Sequence, residues 1–419
     1  MKFALVFPKS TFLSDPLVWQ PLGLMYLSAQ LTNLGHETFF FDLNFDEMPN
    51  DGDFDQMWVS ATSPQLGESR RIGNIVRDWK ITKTVLGGAG AWANPESHKD
   101  LGYSLVVGGE ADNPHTVQRI IEIANHSHNL SITVPISKDL SWVLPPDRRW
   151  STKYKSYMTH DGKTYRMTSL FTSRGCPMEC AFCESGRHGI IWDRLTRYEP
   201  LEIVENQIAE CAQLGFTGLA YYDDIFILNR KRTTEILKMH RKYDMVFRCF
   251  LRSDILCKHG GFEYLKELRD GGLIEIFVGV ESASNKIKEN IHKGTTIEQD
   301  TLVLGWCKEL GIACKMSFIL GLPGESLETM EETRQWILKY RPERVQVDRL
   351  IPFMGTPLTD HPEEYDLTYE HQPDEEWFFK GRMDLGTKSF VSTSNLSVEE
   401  IDTYWRNLND ELISEGITT

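Results

Sequence analysis

No part of this 419-residue sequence contains a long hydrophobic run. A helix that spans a membrane needs about 20 consecutive apolar residues, and no segment here approaches that length. The first apolar stretch, residues 3–7, is too short for the hydrophobic region of a signal peptide and ends at Pro8 and Lys9. The sequence therefore predicts a cytoplasmic protein without a membrane span, in which residues 3–7 form a buried strand.

The sequence is also poor in basic residues. It has 45 lysines and arginines against 60 aspartates and glutamates, which gives a net charge of −15. Proteins that bind nucleic acids neutralise phosphates with clustered basic residues, so this balance argues against a nucleic-acid partner. We expect a small-molecule or peptide substrate instead.

Cysteine is absent from the first 175 residues. Three of the eight cysteines then cluster at Cys176, Cys180 and Cys183, which is not the pattern of a disulfide scaffold in a chain of this length. The other five lie among apolar residues and are predicted to be small buried side chains: Cys211, Cys249, Cys257, Cys307 and Cys314.

The order of apolar segments divides the chain into four parts. Residues 1–130 alternate short apolar runs with amphipathic helices, which indicates a doubly wound, Rossmann-like parallel sheet. Residues 131–165 are polar and are interpreted as a linker. Residues 166–350 contain six strand–helix units, which predict a partial (β/α)6 barrel, and residues 351–419 form a small C-terminal extension that closes the barrel. The fold class is α/β.

Two helices of the barrel have clear signals. Residues 201–214 carry an apolar stripe at steps of three and four. Thr296 and Gln299 form a capping box that begins another helix, in which Leu302, Trp306 and Leu310 are predicted to face inward. The six barrel strands are predicted at 168–173, 217–223, 247–252, 273–280, 312–320 and 343–349. Reactive groups of such a barrel lie at the carboxyl ends of the strands.

The three clustered cysteines follow the first barrel strand with the spacing C-x3-C-x2-C. Three thiolates on one loop can bind three irons of a cubane [4Fe–4S] cluster and leave the fourth iron open to a small molecule. Structural zinc is the alternative. Zinc needs four ligands, and His188 is the nearest candidate for the fourth.

The segment RGCPMECAFC resembles the signature of the radical S-adenosylmethionine (SAM) superfamily, and further segments resemble that family's strand ends in order and spacing. These are YYDDIF, FLRSD, GVES, FILGLPGES and IPFMGTPL, which together extend over about 168–360. The resemblance implies that SAM chelates the open iron of the cluster. An electron from the cluster then cleaves SAM to a 5′-deoxyadenosyl radical inside a closed barrel.

The resemblance also implies a set of SAM-binding residues. Cys176, Cys180 and Cys183 would hold the cluster, and Phe182 precedes the last of them. The side chains implied to contact or face SAM are Asp223, Arg252, Glu281, Lys293 and Ser317, at the ends of successive strands or in the loops that follow them. Lys293 has a second interpretation as a solvated lysine.

Residues 1–125 resemble the cobalamin-binding domain that precedes the barrel in one radical SAM class. The segments that carry this resemblance are 20–37, VSATS, VLGG and VVGGEAD. Glycines at strand ends let the backbone approach a bulky ligand, although each pair could also form a simple turn. The resemblance implies contacts with cobalamin from Ser60, Thr62, Gly87, Gly88, Gly108, Gly109 and Glu110. The D-x-H-x-x-G motif that supplies a histidine to cobalt in other cobalamin proteins is absent.

The leading functional hypothesis is a cobalamin-dependent radical SAM methyltransferase that acts on an unactivated carbon. The first alternative is a radical SAM enzyme that catalyses a rearrangement or ring formation without methyl transfer. The second is a cobalamin or iron–sulfur sensor without catalysis. An electron donor such as flavodoxin or ferredoxin is implied by the resemblance. Methylthiotransferases are excluded because they carry additional cluster cysteines before the barrel.

No pattern in the sequence identifies the substrate or a general acid or base. Four aromatic residues are candidates for the cavity wall, and each has a second interpretation as a core residue: Tyr221, Trp192, Trp377 and Phe378.

Overall fold

The computed structural model describes residues 1–417 except for positions 12, 14, 19, 93–94, 127, 187–194, 352 and 371–388. The N-terminal domain is built on a six-stranded parallel sheet with the order β2-β1-β3-β4-β5-β6. In chain order its elements are β1 (Lys2–Phe7), α1 (Leu22–Asn33), β2 (Glu37–Asp42), β3 (Gln56–Ser60), α2 (Leu66–Val76), β4 (Lys83–Gly87), α3 (Ala89–Trp92), β5 (Leu105–Gly108), α4 (Pro114–His126) and β6 (Leu130–Thr133).

The apolar run of β1 explains its central position in this sheet. Residues 3–7 are buried and pack into a separate apolar cluster on each face of the sheet, as expected for a parallel strand covered by helices. The strand order reverses between β1 and β3, and doubly wound sheets bind ligands beyond the carboxyl ends of the strands at such a point. The predicted Rossmann-like fold is confirmed.

The second domain contains a seven-stranded sheet with the order β15-β14-β13-β12-β11-β8-β7. Six strands are parallel and form the half-barrel, whereas β7 pairs antiparallel with β8. The elements up to β15 are β7 (Tyr157–His160), β8 (Lys163–Leu170), β9 (Ser173–Arg174), β10 (Arg197–Tyr198), α5 (Leu201–Gln213), β11 (Gly218–Tyr221), α6 (Arg230–Tyr243), β12 (Val246–Leu251), α7 (Ser253–Lys258), α8 (Phe262–Asp270), β13 (Leu273–Glu281), α9 (Asn285–Asn290), α10 (Ile297–Leu310), β14 (Ala313–Leu320), α11 (Leu327–Tyr340) and β15 (Arg344–Arg349). The predicted partial barrel is confirmed.

The segment 131–165, predicted as a linker, contains more structure than its composition indicates. It includes most of the edge strand β6, whose residues are exposed or half-buried, and the first strand of the β7–β8 hairpin. Neither strand carries a continuous apolar run, so the apolar pattern does not predict them.

The capping box at Thr296 is present and begins α10, as predicted. The predicted inward face of this helix is partly confirmed, because Trp306 and Leu310 are half-buried against the barrel core. Leu302 is 51% exposed and was predicted wrongly, and the fully buried apolar side chains are Val303, Leu304 and Cys307. Of the five scattered cysteines, four are buried and Cys257 is partly buried.

The C-terminal extension contains α12 (Pro357–Asp360), β16 (Thr368–Tyr369), β17 (Val391–Ser392) and α13 (Val398–Ser414). Trp405 of α13 donates its indole N–H to the Val347 carbonyl of β15 at 2.7 Å, so this helix covers the outer face of the edge strand. Leu367, Phe390 and Ala181 belong to one apolar cluster, so another part of the extension packs against the cysteine loop. Within the described ranges, no helix has the length and apolarity that a membrane crossing needs.

Candidate functional site

The three clustered cysteines lie on the loop that follows β9, at the carboxyl end of the barrel. Cys176 and Cys180 are buried and Cys183 is half-buried. Burial raises the pKa of Cys176 to about 12 and that of Cys183 to about 11, while backbone N–H groups of Met178 and Ser185 donate to the two thiols and act in the opposite direction. Such N–H donors stabilise thiolates, which is the form that binds iron.

This set of donors fits an iron–sulfur cluster better than a zinc ion. Among the described residues, the three sulfurs do not all lie within 4.8 Å of one another. A zinc ion holds each sulfur at about 2.3 Å, which would bring any two sulfurs to about 4 Å. Arg252 donates to Cys180 Sγ at 3.4 Å, and hydrogen bonds to cluster sulfurs tune the reduction potential. His188, the alternative zinc ligand, lies outside the described residues.

Glu281 and Lys293 form a buried ion pair beside the cysteine loop. Lys293 Nζ donates to Glu281 Oε1 at 2.7 Å, and the two side chains are 8% and 7% exposed. The same nitrogen lies 5.6 Å from the centre of the Phe182 ring. Glu281 has a φ of +67° at a register shift of β13, a backbone conformation that side chains rarely adopt away from functional sites. The structure thus brings three predicted SAM residues together, and Lys293 is not a solvated lysine.

Arg252 and Ser317 complete the predicted SAM group from neighbouring strands. The Arg252 guanidinium contacts Asp254 at 3.0 Å and the Lys293 carbonyl, in addition to Cys180. Ser317 lies on β14 opposite Gly279 of β13 and alternates with the buried, helix-facing Met316. Alternation along a strand therefore directs Ser317 towards the barrel interior.

Asp223 is placed differently from the expectation that it approaches SAM. Its carboxylate accepts from Thr172 N at 2.7 Å, Thr172 Oγ1 at 2.5 Å and Ser173 Oγ at 2.7 Å. Both oxygens are therefore used to hold the segment that leads into the cysteine loop. The neighbouring Asp224 lies closer to the cluster site, where burial raises its pKa to about 6 and Ser185 donates to it. A contact between Asp223 and SAM stays a prediction, and Asp224 is a second carboxylate at this edge.

The predicted cobalamin residues lie together at the carboxyl ends of β3 and β4. Ser60 and Thr62 are half-buried there. A Cβ placed on Gly87 would meet only Val107 O at 3.7 Å, so the backbone at Gly87 faces open space that a bulky ligand could approach. A Cβ on Gly88 would lie 2.5 Å from Ala61 O, so Gly88 is needed for contact with the neighbouring strand. Ser60, Thr62 and Gly87 thus fit a cobalamin contact.

Gly108 and Gly109 resemble Gly88, because a Cβ at either position would clash with neighbouring atoms. A Cβ would lie 2.9 Å from Pro95 Cγ at Gly108 and 2.5 Å from Val134 O at Gly109, which also has a φ of +108°. These glycines are explained by packing within the domain, and their contact with cobalamin stays a prediction.

Glu110 joins the two domains. Its carboxylate accepts from Arg197 at 2.7 and 2.5 Å. Asp112, two residues later, accepts from Arg174 at 3.0 and 2.7 Å. Arg174 and Arg197 face each other across the β9–β10 pair, which encloses the cysteine loop. The glycine-lined edge of the first domain is therefore clamped to the cluster loop of the second by two ion pairs, which we call the domain clamp.

The sequence missed Glu184, the residue that follows the last cysteine. Burial raises its pKa to about 7, and Ser63 of the first domain donates to it at 3.2 Å. It also missed Lys288, whose three N–H groups reach Val280 O, Thr295 Oγ1 and Asp300 Oδ2 at 2.5–3.2 Å. No motif signals either residue, since both depend on contacts between distant segments.

Of the two interpretations of Tyr221, as a cavity residue or a core residue, the structure supports the second. Tyr221 is 1% exposed and its hydroxyl contacts His240 Nε2 at 2.5 Å, on the helix-facing side of the barrel. The next residue, Tyr222, is half-buried and lies beside Phe171 and Phe250 instead. Trp192, Trp377 and Phe378 lie outside the described residues.

Comparison with known sequences gives a consistent result. The sequence model of the radical SAM superfamily matches residues 170–337. An uncharacterized methyltransferase of Pyrococcus horikoshii is 30% identical over 52% of the chain, although the match spans only 44% of that relative's length. The bacteriochlorophyllide d C-8(2)-methyltransferase of Chlorobaculum tepidum is 24% identical over 82% of the chain and 75% of its own length.

Solved structures resemble both domains at once. The radical SAM methyltransferase TsrM from Kitasatospora setae, solved with cobalamin and a [4Fe–4S] cluster, has a TM-score of 0.70 and 16% identity and covers 97% of this chain and 90% of its own. The cobalamin-dependent SAM radical enzyme OxsB, with aqua-cobalamin bound, has a TM-score of 0.66 and 19% identity and covers 100% of this chain and 62% of its own. Residues 170–337 therefore match a radical SAM domain, and the two domains of the chain have the fold of the cobalamin-dependent radical SAM enzymes.

Proposed function

We propose that this protein is a cobalamin-dependent radical SAM enzyme that transfers a methyl group to a carbon atom of its substrate. The observation that carries the proposal is the domain clamp, Arg174–Asp112 and Arg197–Glu110. It holds the cysteine loop against the domain edge that carries Ser60, Thr62 and Gly87, so both cofactor sites face one space. Relatives named as carbon methyltransferases support this proposal, among them the hopanoid C-2 methylase of Rhodopseudomonas palustris.

The cluster supplies the electron that cleaves SAM, and cobalamin carries the methyl group between SAM and substrate. The chain's own residues bind and orient the reactants. Cys176, Cys180 and Cys183 supply three thiolates. Lys293, which is paired with Glu281, would face the carboxylate of SAM. The side chains of the barrel would exclude water from the reacting groups.

A second function is favoured by one group of relatives. Anaerobic magnesium-protoporphyrin IX monomethyl ester cyclases of Rubrivivax gelatinosus and Cereibacter sphaeroides are 24% and 26% identical to this chain. Ring formation would consume SAM only as a radical source. It would release 5′-deoxyadenosine without S-adenosylhomocysteine, which distinguishes it from methyl transfer.

Members of this superfamily need a reductant. We propose a small electron carrier such as flavodoxin or ferredoxin. An oxygen-sensitive cluster and eight free cysteines suit a reducing compartment, so the cytoplasm is the proposed location.

Anaerobic reconstitution tests the proposal. With iron, sulfide, hydroxocobalamin and a reductant, the wild-type protein is expected to show both cofactor spectra and to release S-adenosylhomocysteine and 5′-deoxyadenosine. Cys176→Ala should lose the cluster spectrum and both products, while Cys257→Ala, a partly buried thiol outside the loop, should keep them. Cluster assembly without either product would contradict the proposal.

The cobalamin site has its own test. Gly87→Val fills the open space at β4 and should weaken cobalamin uptake at least tenfold. Gly305→Val provides the control, because a Cβ there meets nothing within 4 Å and lies on α10, away from the site. Equal cobalamin uptake by the two variants would show that Gly87 does not contact cobalamin.

A further inference from the structure

Four aromatic side chains form a continuous arc on the concave face of the half-barrel. Phe171 and Tyr222 directly follow β8 and β11, while Phe250 and Phe277 lie on β12 and β13. Successive ring centres are 6.2, 6.2 and 5.0 Å apart. All four side chains are half-buried, so each presents part of its surface to the barrel interior. We call these four residues the aromatic arc.

Alternation along the strands establishes which way the arc faces. The neighbours Cys249, Leu251, Ile276 and Val278 are at most 3% exposed and belong to the core between the sheet and its outer helices. Side chains of adjacent strand residues point to opposite faces, so the arc faces the barrel interior. Phe171 and Tyr222 also pack against the apolar cluster around Met25 and Leu140 of the first domain and the segment after it. Phe250 and Phe277 belong to none of the apolar clusters of the described residues, so packing does not account for these two rings.

The arc ends at a cation. Lys315 of β14 is paired in register with Phe277, and its Nζ lies 5.3 Å from the centre of that ring. Glu275 lies two residues before Phe277 on β13, and its carboxylate forms ion pairs with Arg248 at 3.1 Å and Arg344 at 2.9 Å.

The charges on this part of the interior do not balance. Arg248, Lys315 and Arg344 carry three positive charges, and Glu275 together with Asp348 of β15 carries two negative charges. Asp348 accepts from Gln346 at 2.7 Å. Glu275 is shared by the two arginines, whereas Lys315 presents its positive charge next to an aromatic surface.

The arc also lies close to the residues expected to face SAM. Gly279 and Ser317 are each two residues further along β13 and β14 than Phe277 and Lys315. Two strand residues span about 7 Å, so a molecule on the arc lies within reach of a radical formed at the strand ends.

We propose that the aromatic arc and Lys315 form the substrate-binding surface, and that the substrate is a planar, conjugated molecule with a carboxylate that pairs with Lys315. Flat rings stack on aromatic side chains, and a carboxylate pairs with the positive charge of Lys315. The inference rests on the proposed function, because it assumes that the molecule on the arc is the one that receives the methyl group.

Three probes test this site in the reconstituted holoenzyme with SAM present: 1-naphthaleneacetate, its neutral amide 1-naphthaleneacetamide, and cyclohexylacetate. The dissociation constants are measured by anaerobic equilibrium dialysis. The wild-type protein is expected to bind the naphthalene acid at least tenfold more tightly than the amide, because only the acid pairs with Lys315. Cyclohexylacetate should bind more weakly than the naphthalene acid, since it cannot stack.

Variants locate the effect. Lys315→Met should abolish the preference for the acid over the amide, and Lys315→Arg should retain most of it. Lys339→Met is the matched control, since Lys339 is an exposed lysine 4.9 Å from the Tyr340 ring on the outside of the barrel, and it should behave like the wild type. Phe277→Leu should weaken the binding of 1-naphthaleneacetate several-fold and leave the binding of cyclohexylacetate nearly unchanged.

Several outcomes would overturn the inference. The naphthalene acid and amide could bind the wild type equally, Lys315→Met could keep the preference, or Lys339→Met could lose it. The two products of SAM are measured in the same preparations. Selective probe binding without S-adenosylhomocysteine would support the site while contradicting methyl transfer, and release of both products with unselective probe binding would contradict the site alone.

Discussion

Lys288 gives the sharpest test of how the SAM residues are held in place. This side chain is 1% exposed, and it contacts the Val280 carbonyl at 2.7 Å, Thr295 Oγ1 at 3.2 Å and Asp300 at 2.5 Å. Asp300 in turn accepts from Ser253 Oγ at 2.6 Å. These partners adjoin Glu281, Lys293 and Arg252 in sequence, so one buried ammonium ties together the three segments that carry the predicted SAM contacts.

Lys288→Met would leave the carboxylate of Asp300 buried without its counter-charge. Breaking a buried ion pair in this way costs about 3–5 kcal/mol. The three loops would also lose their common anchor, and a shift of about 1 Å in a binding group can weaken its function strongly, so SAM binding should fall at least about tenfold. Urea unfolding of the apoprotein and equilibrium binding of SAM to the reconstituted enzyme measure the two effects.

The matched control is Lys286→Met, because Lys286 lies on the same short helix but is exposed. It should change stability by less than about 0.5 kcal/mol. Asp300→Asn and the double variant complete a mutant cycle, in which the double variant should be less destabilised than the sum of the single variants by about 2 kcal/mol. Additive single effects, or a Lys288→Met protein as stable as the control, would refute this account of the network.

Three further predictions concern stability. His240 donates from Nδ1 to a carbonyl and accepts from the Tyr221 hydroxyl, and burial lowers the pKa of His240 to about 4. As the pH drops, the unfolded chain therefore binds a proton at this position before the folded chain does. The free energy of unfolding should fall by up to about 3 kcal/mol between pH 6.5 and pH 4. The destabilisation caused by His240→Gln should therefore shrink between pH 7.5 and 5, and a constant difference would contradict the assignment. Burial raises the pKa of Glu325 to about 8, so the folded chain keeps this proton and loses stability as pH rises from 4.5 to 8. The stability of Glu325→Gln relative to the wild type should increase by about 1.4 kcal/mol per pH unit across that window. If the two proteins show parallel curves of unfolding free energy against pH, the Glu325 carboxyl is ionised in the fold. Arg197→Met should destabilise the protein by about 3–5 kcal/mol, because it leaves Glu110 buried without its partner. Adding Glu110→Leu should restore part of the lost stability. If it restores none, Arg197 and Glu110 do not stabilise the fold as a pair.

Local sequence was sufficient where the signal lies in neighbouring residues. The spacing of Cys176, Cys180 and Cys183 indicated a shared ligand, and the apolar run of β1 indicated a central strand. The capping box at Thr296 located the start of α10. These predictions succeeded because capping and loop ligation depend on residues a few positions apart.

Predictions that depend on which way a side chain faces succeeded less often. Tyr221 was open to a cavity or a core interpretation, and the structure places it in the core while Tyr222 lies beside Phe171 and Phe250. Leu302 was predicted to face inward and is 51% exposed. A shift of one residue reverses every side chain of a strand, and the apolar pattern of a strand buried on both faces does not reveal the phase.

The sequence by itself determined the class of chemistry, because three thiols on one loop, at the end of a strand, are a local arrangement that no distant contact has to create. It also determined the division into a doubly wound domain and a half-barrel, since the periodicity of apolar residues is local as well. Only the tertiary structure decided which carboxylates are used within the fold, how the domain clamp brings the two cofactor edges together, and which aromatic residues line the interior. Those features depend on strand phase and on pairs such as Arg197 and Glu110, 87 positions apart, whose contact exists only after the chain has folded.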